Sequence, residues 1–529
     1  MSEEGIKNGS NSTPADEPAK APLVLAALLI AAVVCNINFA AATVSLPDIG
    51  ESFDASQTAL NLVGLGTGLG LAMSVLYFGA IADRYGRKQL LLLGMVLTVL
   101  ACFLSAFAPS VEFLILARVF TGLAAGMAYP TTLSLITALW ADGPKRTGAI
   151  ALWAGIGGMA SVAGGVIAGG VLAVSSWHVA FLLSLPIALI AIALIAAVVP
   201  SHVDESDRPV DHLGGILSTL GIAFLVLGVS MVLAPGGAEF GGGLLAGSAI
   251  LLGLFFWRQK TAANPLYNLD VAGRRLFWVP AVAGTIAFGS LIGAMFVGEQ
   301  FMQNVLDYSP LGAGAAVVPA AFGLVIMSPV AARTVTEKGT RTTMSIGYVL
   351  IALAFVTMLA WREGTHYLLI GAGFFIIGAG AAFVITSSSR SLTSSTPVRK
   401  VGMASATSDL QNDLGGSIMQ ALLGALLASG FATKFADILK GSGEKNEISG
   451  EVTRALQASF ASAEHVASQY PREADAILEA ARQSLVSGAL AAYLIGGVTI
   501  LIGLAVVRFA LPGKERELEL REQYKREDA

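Results

Sequence analysis

Apolar runs long enough to cross a bilayer recur along the whole chain, and they constrain the fold more than any other feature. A transmembrane helix needs about twenty predominantly apolar residues. Fourteen such runs can be counted, and charged residues make up only 13% of the sequence. Because the backbone groups of a lipid-embedded segment must be satisfied within it, the sequence predicts an all-α polytopic membrane protein with fourteen transmembrane helices.

The polar stretches between the runs divide the chain into two related halves. Basic loops after spans 2 and 10, and glycine pairs in spans 5 and 13, recur eight spans apart. Related halves around a site at mid-membrane are typical of secondary transporters. We therefore expect two pseudo-symmetric six-helix bundles plus two inserted helices. The predicted order is a cytosolic tail (1–20), an N-terminal bundle (21–200), inserted spans 7 and 8 (211–260), a C-terminal bundle (275–510) and a second cytosolic tail (511–529).

Lysine and arginine are concentrated in alternate loops. Arg87 and Lys88 follow span 2 and Arg274 precedes span 9, whereas the short loops of the other set contain only Arg362. By the positive-inside rule, the basic loops and both termini are predicted to be cytoplasmic, in the cytoplasmic (inner) membrane of a cell.

The sequence contains no signal for an enzyme, a metal site or a nucleic-acid-binding arm. The histidines lack metal-ligand spacing, no catalytic grouping is present, and no basic run is long enough to bind nucleic acid. Cys35 and Cys102 lie inside apolar runs and are predicted core residues. We expect no cofactor and a functional monomer, whose partners are the bilayer, a small-molecule substrate and protons.

Two glycines and charges of both signs occupy the loop after span 2. The run from Gly79 to Lys88 reads Gly-Ala-Ile-Ala-Asp-Arg-Tyr-Gly-Arg-Lys. It resembles the loop signature of the major facilitator superfamily, G-x-L-A-D-R-x-G-R-K, with Ile81 in place of leucine. The glycines are expected to let the flanking helices approach closely. The resemblance implies a cytoplasmic latch for the outward-facing state, formed by Gly79, Asp83, Arg84, Gly86, Arg87 and Lys88. A basic loop that only fixes the orientation is the alternative.

Two further stretches resemble the fourteen-span drug:proton antiporters of that superfamily. Asp211-His-Leu-Gly-Gly215 opens span 7, and Asn264-Pro-Leu266 follows span 8. The resemblance implies export of amphiphilic or drug-like compounds by proton antiport with alternating access. Two alternatives stay open, an exporter of a lipid or endogenous metabolite with weaker proton coupling and, from another class, a membrane sensor or scaffold.

Carboxylates inside a span are costly and usually functional. Asp409 and Asp413 are four residues apart in span 13, so they share one helix face. Two carboxylates that close, in a low dielectric, do not both ionise easily, so one is expected to carry a proton. We predict that they couple transport to protons. A hydrogen-bonded structural pair, held by Asn412 or the serines of span 12, is the alternative.

Arg118 in span 4 is the third predicted coupling residue. A permanently charged guanidinium can bias the protonation of a nearby acid, and the alternative is an arginine that snorkels to the outer surface. Glycines follow it at Gly122 and Gly126, which resembles the family's span 4 signature. Small residues let helices pack closely. The same packing or gating role is predicted in span 5, where Val166 replaces the family's proline beside Gly165, Gly169 and Gly170.

Span 1 departs from the antiporter pattern. The acid that precedes Leu46-Pro47 in the family is Asn38 here, so it cannot titrate. Asn36 and Asn38 are predicted to line the substrate cavity instead. Glu299 and Gln303, near the outer end of span 9, are predicted substrate contacts or gate residues, and a solvated interfacial acid is the alternative for Glu299.

Two polar segments are predicted to be helical outside the membrane. Residues 431–483 contain good helix formers, with Pro471 at a predicted first helical position, and indicate an extracytoplasmic helical hairpin. It is expected to act as a lid, a partner surface or a passive loop. The charge-alternating tail after Pro512 is predicted to be a solvated helix.

Overall fold

The computed structural model describes residues 20–140, 144–201, 209–232, 234, 236–396, 401–441 and 450–528. Within these ranges all regular secondary structure is α-helical, which confirms the predicted fold class. The first cytosolic tail, except residue 20, lies outside the described residues. "Extracytoplasmic" and "cytoplasmic" denote below the sides predicted from the basic loops.

The N-terminal helices are α1 to α8. α5 packs against α1, α3 and α4, and α1 also packs against α6 and α8. Span 6 is divided because α7 ends at Leu182 and Pro186 stands in the first turn of the next helix, a position that needs no backbone donor. The bounds are α1 Ala21–Val44, α2 Leu46–Phe53, α3 Gln57–Tyr85, α4 Arg87–Ala106, α5 Val111–Leu139, α6 Pro144–Leu172, α7 Trp177–Leu182 and α8 Leu185–Val198.

The inserted hairpin consists of α9 (His212–Val232) and α10 (Ala238–Thr261). α9 packs against α10, α3 and α17. Two hydrogen bonds join α9 to α3, one near each end of α9. Asn61 Nδ2 of α3 donates to Ser230 Oγ of α9 at 3.1 Å, and Tyr77 Oη of α3 lies 2.9 Å from His212 Nδ1 of α9. The hairpin therefore covers the line where α3 meets α17.

The C-terminal helices are α11 to α21. α12 packs against α17, α16 and α20, while α14 and α15 pack against α16. The bounds are α11 Leu269–Ala272, α12 Arg275–Asn304, α13 Pro310–Ala316, α14 Val318–Lys338, α15 Thr340–Met358, α16 Tyr367–Ser394, α17 Val401–Gly441, α18 Gly450–Ala458, α19 Phe460–Gln469, α20 Ala474–Ala510 and α21 Lys514–Asp528. The domain limits stated above stay predictions.

Thirteen helices of the described residues are long and apolar enough to span a membrane. The fourteenth predicted span falls on α6. Within that helix the apolar segment found among the described residues is Ala163–Leu172, which is too short to span a membrane by itself. The count of fourteen therefore stays a prediction.

Both predicted basic loops are shorter than the sequence indicated. α3 continues to Tyr85, so the turn after span 2 is Gly86 alone, at φ 111°. Pro329 lies inside α14, and the turn after span 10 is Gly339, at φ 82°. Only glycine adopts such angles readily. The two turns thus share a positive-φ glycine conformation eight spans apart. In this conformation a Cβ at Gly79 would meet no atom of the described residues within 4 Å, so the close approach expected of that glycine stays a prediction.

The identified contacts between the N- and C-terminal helices lie toward their extracytoplasmic ends. A Cβ on Gly64 would stand 2.8 Å from Phe296 and 3.2 Å from Gln420, and one on Gly424 would meet Asn61. On the far side of the molecule, α6 packs against α13. These contacts close the two halves against each other on the extracytoplasmic side.

The polar segment after span 13 packs on the N-terminal helices. Ser459 Oγ donates to the Ala55 carbonyl at 2.8 Å, and Ser462 Oγ donates to Asp54 Oδ1 at 2.5 Å. α19 therefore bridges the two halves on the extracytoplasmic side. The predicted first helical position of Pro471 is wrong, because α20 begins at Ala474.

The C-terminal tail is helical as predicted, but it is docked rather than simply solvated. Glu517 is only 5% exposed and accepts hydrogen bonds from Thr340 N (2.9 Å) and Thr340 Oγ1 (2.7 Å) at the start of α15. Arg274 forms an ion pair with Asp528 at 2.5 Å. The tail helix therefore holds the cytoplasmic ends of α12 and α15.

Candidate functional site

The predicted acids of α17 lie beside the line of contact with α3. Ser417 Oγ would be 3.1 Å from a Cβ on Gly68 of α3, so this face of α17 is turned toward the N-terminal helices. Asp413 is half-buried one turn toward the cytoplasmic end, and its backbone carbonyl accepts from Ser417 Oγ at 2.8 Å. The side chain of Asp409 lies outside the described residues. Asp413 thus lies one helical turn toward the cytoplasmic end from the place where Ser417 faces Gly68.

Arg118 is buried within the N-terminal helices. It is 1% exposed, and its Nη2 donates to the Asn38 carbonyl at 2.6 Å. Its guanidinium carbon also lies 4.9 Å from the ring centroid of Phe181. Snorkelling to the outer surface is therefore wrong.

The two asparagines of span 1 have different surroundings. Asn38 Nδ2 donates to Ser184 Oγ at 2.8 Å, and Cys102 Sγ lies 3.3 Å from the same hydroxyl. The Asn38 side chain is thus directed at α4 and the segment before α8. Asn36 is half-buried, and its Nδ2 donates to Ala32 O at 2.8 Å and lies 3.7 Å from a Cβ built on Gly157.

The predicted packing glycines divide into two groups. A Cβ on Gly122 would stand 2.1 Å from the Thr67 carbonyl oxygen of α3, and one on Gly126 would meet Ser74 Oγ at 2.0 Å. These two act within the N-terminal helices.

The glycines of span 5 meet the other half of the molecule. A Cβ on Gly169 would lie 2.5 Å from the Leu311 Cα of α13, whereas one on Gly170 would meet only Leu311 Cδ1 at 3.9 Å. The Gly165 carbonyl oxygen lies 2.7 Å from a Cβ on Gly314. Backbone contact between α6 and α13 therefore requires Gly169 and Gly314, while Gly170 is free to vary.

The predicted latch residues make contacts within the N-terminal helices. Arg87 Nη2 and Asp83 Oδ1 form an ion pair at 2.9 Å across the Gly86 turn, and Lys88 Nζ donates to the Ala196 carbonyl at 2.9 Å. These contacts of Asp83, Arg87 and Lys88 lie within one half, as expected of a cytoplasmic latch in a conformation that is closed outside.

A polar seam closes the extracytoplasmic end between α3, α12 and α17. We call it the outer seam, and its residues are Gln57, Asn61, Gly64, Phe296, Glu299, Gln300, Gln303, Gln420 and Gly424. The prediction that Glu299 is a gate or substrate residue remains open, but the alternative of a solvated interfacial acid is wrong, because it is only 6% exposed. Its Oε2 atom and the Nε2 atoms of Gln57, Gln300 and Gln303 have no hydrogen-bond partner.

Further carboxylates lie outside the seam on the same side. Burial, together with Glu51, raises the pKa of the Asp48 carboxyl in α2. Burial also raises the pKa of Glu464 in α19; Glu51 and Asp307 add to the shift and Arg482 opposes it. Two carboxyl groups of this surface therefore have pKa values above their usual range. Within the described residues, no group of three or more His, Cys, Asp or Glu could hold a metal ion.

Comparison with known proteins identifies the family. The sequence profile of the Major Facilitator Superfamily matches residues 28–420, well over half of the chain. The chain belongs to the Major Facilitator Superfamily. It is therefore a membrane transporter rather than an enzyme.

Three curated relatives match this chain along at least 90% of their own length. The multidrug efflux pump LfrA of Mycolicibacterium smegmatis is 30% identical, over 93% of this chain and 97% of its own. The methyl viologen resistance protein SmvA of Salmonella typhimurium is 27% identical, over 93% and 99%. The tetracenomycin C resistance and export protein of Streptomyces glaucescens is 25% identical, over 92% and 90%.

Solved structures of other transporters share the fold. A bacterial homologue of the human lysosomal transporter Spinster superposes with a TM-score of 0.63 at 14% identity, covering 96% of this chain and 99% of that one. A peptide transporter in complex with sulfate gives the same TM-score of 0.63 at 14% identity, covering 96% and 98%. The arrangement of helices is thus that of the superfamily.

Proposed function

We propose that this superfamily member exports amphiphilic, drug-like compounds in exchange for protons, by alternating access. The observation that carries the proposal is the full-length similarity to an efflux pump and to two resistance proteins, including the regions around α9, α10 and α17. The protein acts in the cytoplasmic membrane, with both termini inside and as a monomer.

The position of Asp413 supports proton coupling. Its carboxylate belongs to the α17 face turned toward α3, below the closed outer seam, where a cationic substrate and a proton could compete for it. Arg118 is a buried permanent positive charge in the opposite half, and its repulsion disfavours binding of further cations nearby. Asp409 is the second proposed coupling residue.

The cytoplasmic latch completes the proposed cycle. In the outward-facing state, the residues from Gly79 to Lys88 engage the C-terminal half, and they release it when the outer seam closes. Asn36 and Gln303 contact substrate from the two halves.

Proton release from the purified protein tests the proposal. Methyl viologen, the compound named for the Salmonella relative, is added to weakly buffered protein, and the pH change is followed with an indicator dye. We expect proton release from the parent and none from Asp413→Asn. The matched control is Asp437→Asn, which removes an exposed carboxylate from the same helix and should leave release unchanged.

Two results would contradict antiport through this carboxylate. One is binding of methyl viologen to the parent with no proton released. The other is unchanged release from Asp413→Asn, which would assign the exchanged proton elsewhere.

A further inference from the structure

Glu299 belongs to the face of α12 that closes the outer seam. Phe296 on that face touches Gly64 of α3. Residues 299, 300 and 303 follow residue 296 at helical spacings of three, four and seven, so they share its side of the helix. Gly298, by contrast, is packed against Phe374 of α16.

Polar residues of α3 lie at the same depth as this face. From the contact of Gly64 with Phe296, Asn61 and Gln57 lie about 4.5 and 10.5 Å further out along α3, at about 1.5 Å per residue. Gln300 and Gln303 lie about 6 and 10.5 Å further out along α12 on the same scale. The amides of Gln57 and Asn61 thus lie at about the depth of Gln300 and Gln303, and Glu299 is the carboxylate of α12 at this level.

One oxygen of the Glu299 carboxylate, Oε2, is buried in the closed seam without a hydrogen-bond partner among the described residues. No charged side chain of the described residues acts on the carboxylate. An ionised carboxylate held in this way is strongly disfavoured, whereas a neutral carboxyl group costs far less to bury. When the seam opens, the same carboxylate becomes hydrated and can ionise.

We propose that Glu299 is a proton-binding site of the outer gate, distinct from the coupling acids of α17. It binds a proton from the extracytoplasmic water as the seam closes and returns it to the same side as the seam opens. This proton does not cross the membrane; it ties closure of the gate to external acidity. The inference rests on alternating access, as proposed above, but not on which acid exchanges the transported proton.

Other titratable groups near this end must be separated from Glu299. They lie on the elements packed against or beside α12: Asp48 and Glu51 on α2, Asp307 after α12, Glu363 before α16, Glu464 on α19, and Arg482 and Tyr493 on α20. The first six of these stand at the surface or in the α2 layer, outside the seam, and Tyr493 packs against Trp361 at a ring-centroid distance of 5.6 Å.

Distance measurements between spin labels test the proposal. Cysteines replace the exposed residues Val174, after α6, and Leu368, at the start of α16, in a background with Cys35→Ala and Cys102→Ser. Electron–electron resonance in lipid nanodiscs then reports the closed and open populations of the outer end across a pH series. If one proton is bound only in the closed state, the closed-to-open ratio falls about tenfold per pH unit as the pH rises.

Three variants distinguish Glu299 from the other carboxylates. Glu299→Gln, which mimics the neutral carboxyl group, should hold the gate closed and abolish the steep response. Glu464→Gln, which removes a surface carboxylate of raised pKa, should keep it. Asp413→Asn should also keep it while losing substrate-driven proton release, so failure of antiport and failure of this gate are distinguishable.

A parent with no pH response, or a Glu299→Gln variant that keeps the parent's response, would overturn the proposal. Infrared difference spectra provide a second readout that does not depend on the labels. Acidification of the parent should give the carbonyl stretch of a buried protonated carboxyl group, and this band should be missing in Glu299→Gln. Persistence of the full band in that variant would also count against the proposal.

Discussion

At the scale of single residues, the structure separates charges that the sequence grouped together. Arg118 was expected beside the coupling acids, but its identified contacts are the Asn38 carbonyl and the Phe181 ring, both in the N-terminal half. The guanidinium thus links α5 to α1 and α7 within the N-terminal half.

Arg118→Lys is expected to weaken this half of the protein even though the charge is kept. Lysine lacks the planar group that lies over Phe181 and the fixed fork that reaches Asn38, so we expect a loss of about 1–3 kcal/mol from one buried charge-assisted hydrogen bond. Unfolding in detergent, followed by tryptophan fluorescence, measures the loss. The control is Arg390→Lys, near the cytoplasmic end of α16, and equal stability of Arg118→Lys and the parent would show that the Asn38 contact contributes little.

Gly169 and its neighbour Gly170 form a natural pair for testing the contact between α6 and α13. Gly169→Ala places a methyl group 2.5 Å from the Leu311 Cα, whereas Gly170→Ala meets only a leucine side-chain end at 3.9 Å. Since backbone cannot yield cheaply at such distances, Gly169→Ala should hold the extracytoplasmic side open. Labels at Val174 and Leu368 should report longer distances for Gly169→Ala only; a shift of equal size in Gly170→Ala would mean that the helix, not the contact, is perturbed.

At the scale of helices, much of the fold could be predicted from the sequence. Spanning length and hydrophobicity are local properties of the chain. Of the fourteen apolar runs counted in the sequence, thirteen correspond to helices that are long and apolar enough to span a membrane. The positions of Glu299 and Glu517 depend on packing between segments far apart in the chain. Glu517 lies 177 residues along the chain from its partner Thr340, and no periodicity in the sequence reveals that the two are in contact. Gly86 was recognised from its motif, but only the backbone shows that its conformation, rather than close helix approach, requires glycine.

The tail helix α21 is expected to stabilise the cytoplasmic end of the C-terminal half. Glu517→Ala removes the acceptor for the Thr340 amide and hydroxyl, so we expect about 1–3 kcal/mol less local stability. Hydrogen exchange followed by mass spectrometry should show faster exchange in α21 and at the start of α15. Glu515→Ala, an exposed carboxylate two residues away, is the control, and slow exchange of α21 in the Glu517→Ala variant would mean that apolar contacts alone hold the helix.

At the scale of the whole molecule, the described contacts show a conformation that is closed on the extracytoplasmic side. Extracytoplasmic contact involves the outer seam, the α6–α13 glycines and the α19 bridge, three regions that surround the mouth. If the halves rock as rigid bodies, all three must separate together. The α19 bridge is the most informative, because it is outside the membrane and links residues on different halves.

A disulfide across this bridge should stop transport reversibly. Ser462 Oγ and Asp54 Oδ1 are 2.5 Å apart, so cysteines at these two positions face each other, and the loss of both free thiols shows that they have joined. In the Asp54→Cys, Ser462→Cys variant, oxidation should abolish export of methyl viologen from proteoliposomes, and a reductant should restore it. Each single cysteine variant, oxidised in the same way, should keep its activity. Undiminished export by the cross-linked protein would mean that α19 travels with α2, and that the extracytoplasmic opening forms between other elements, at the seam and at α6.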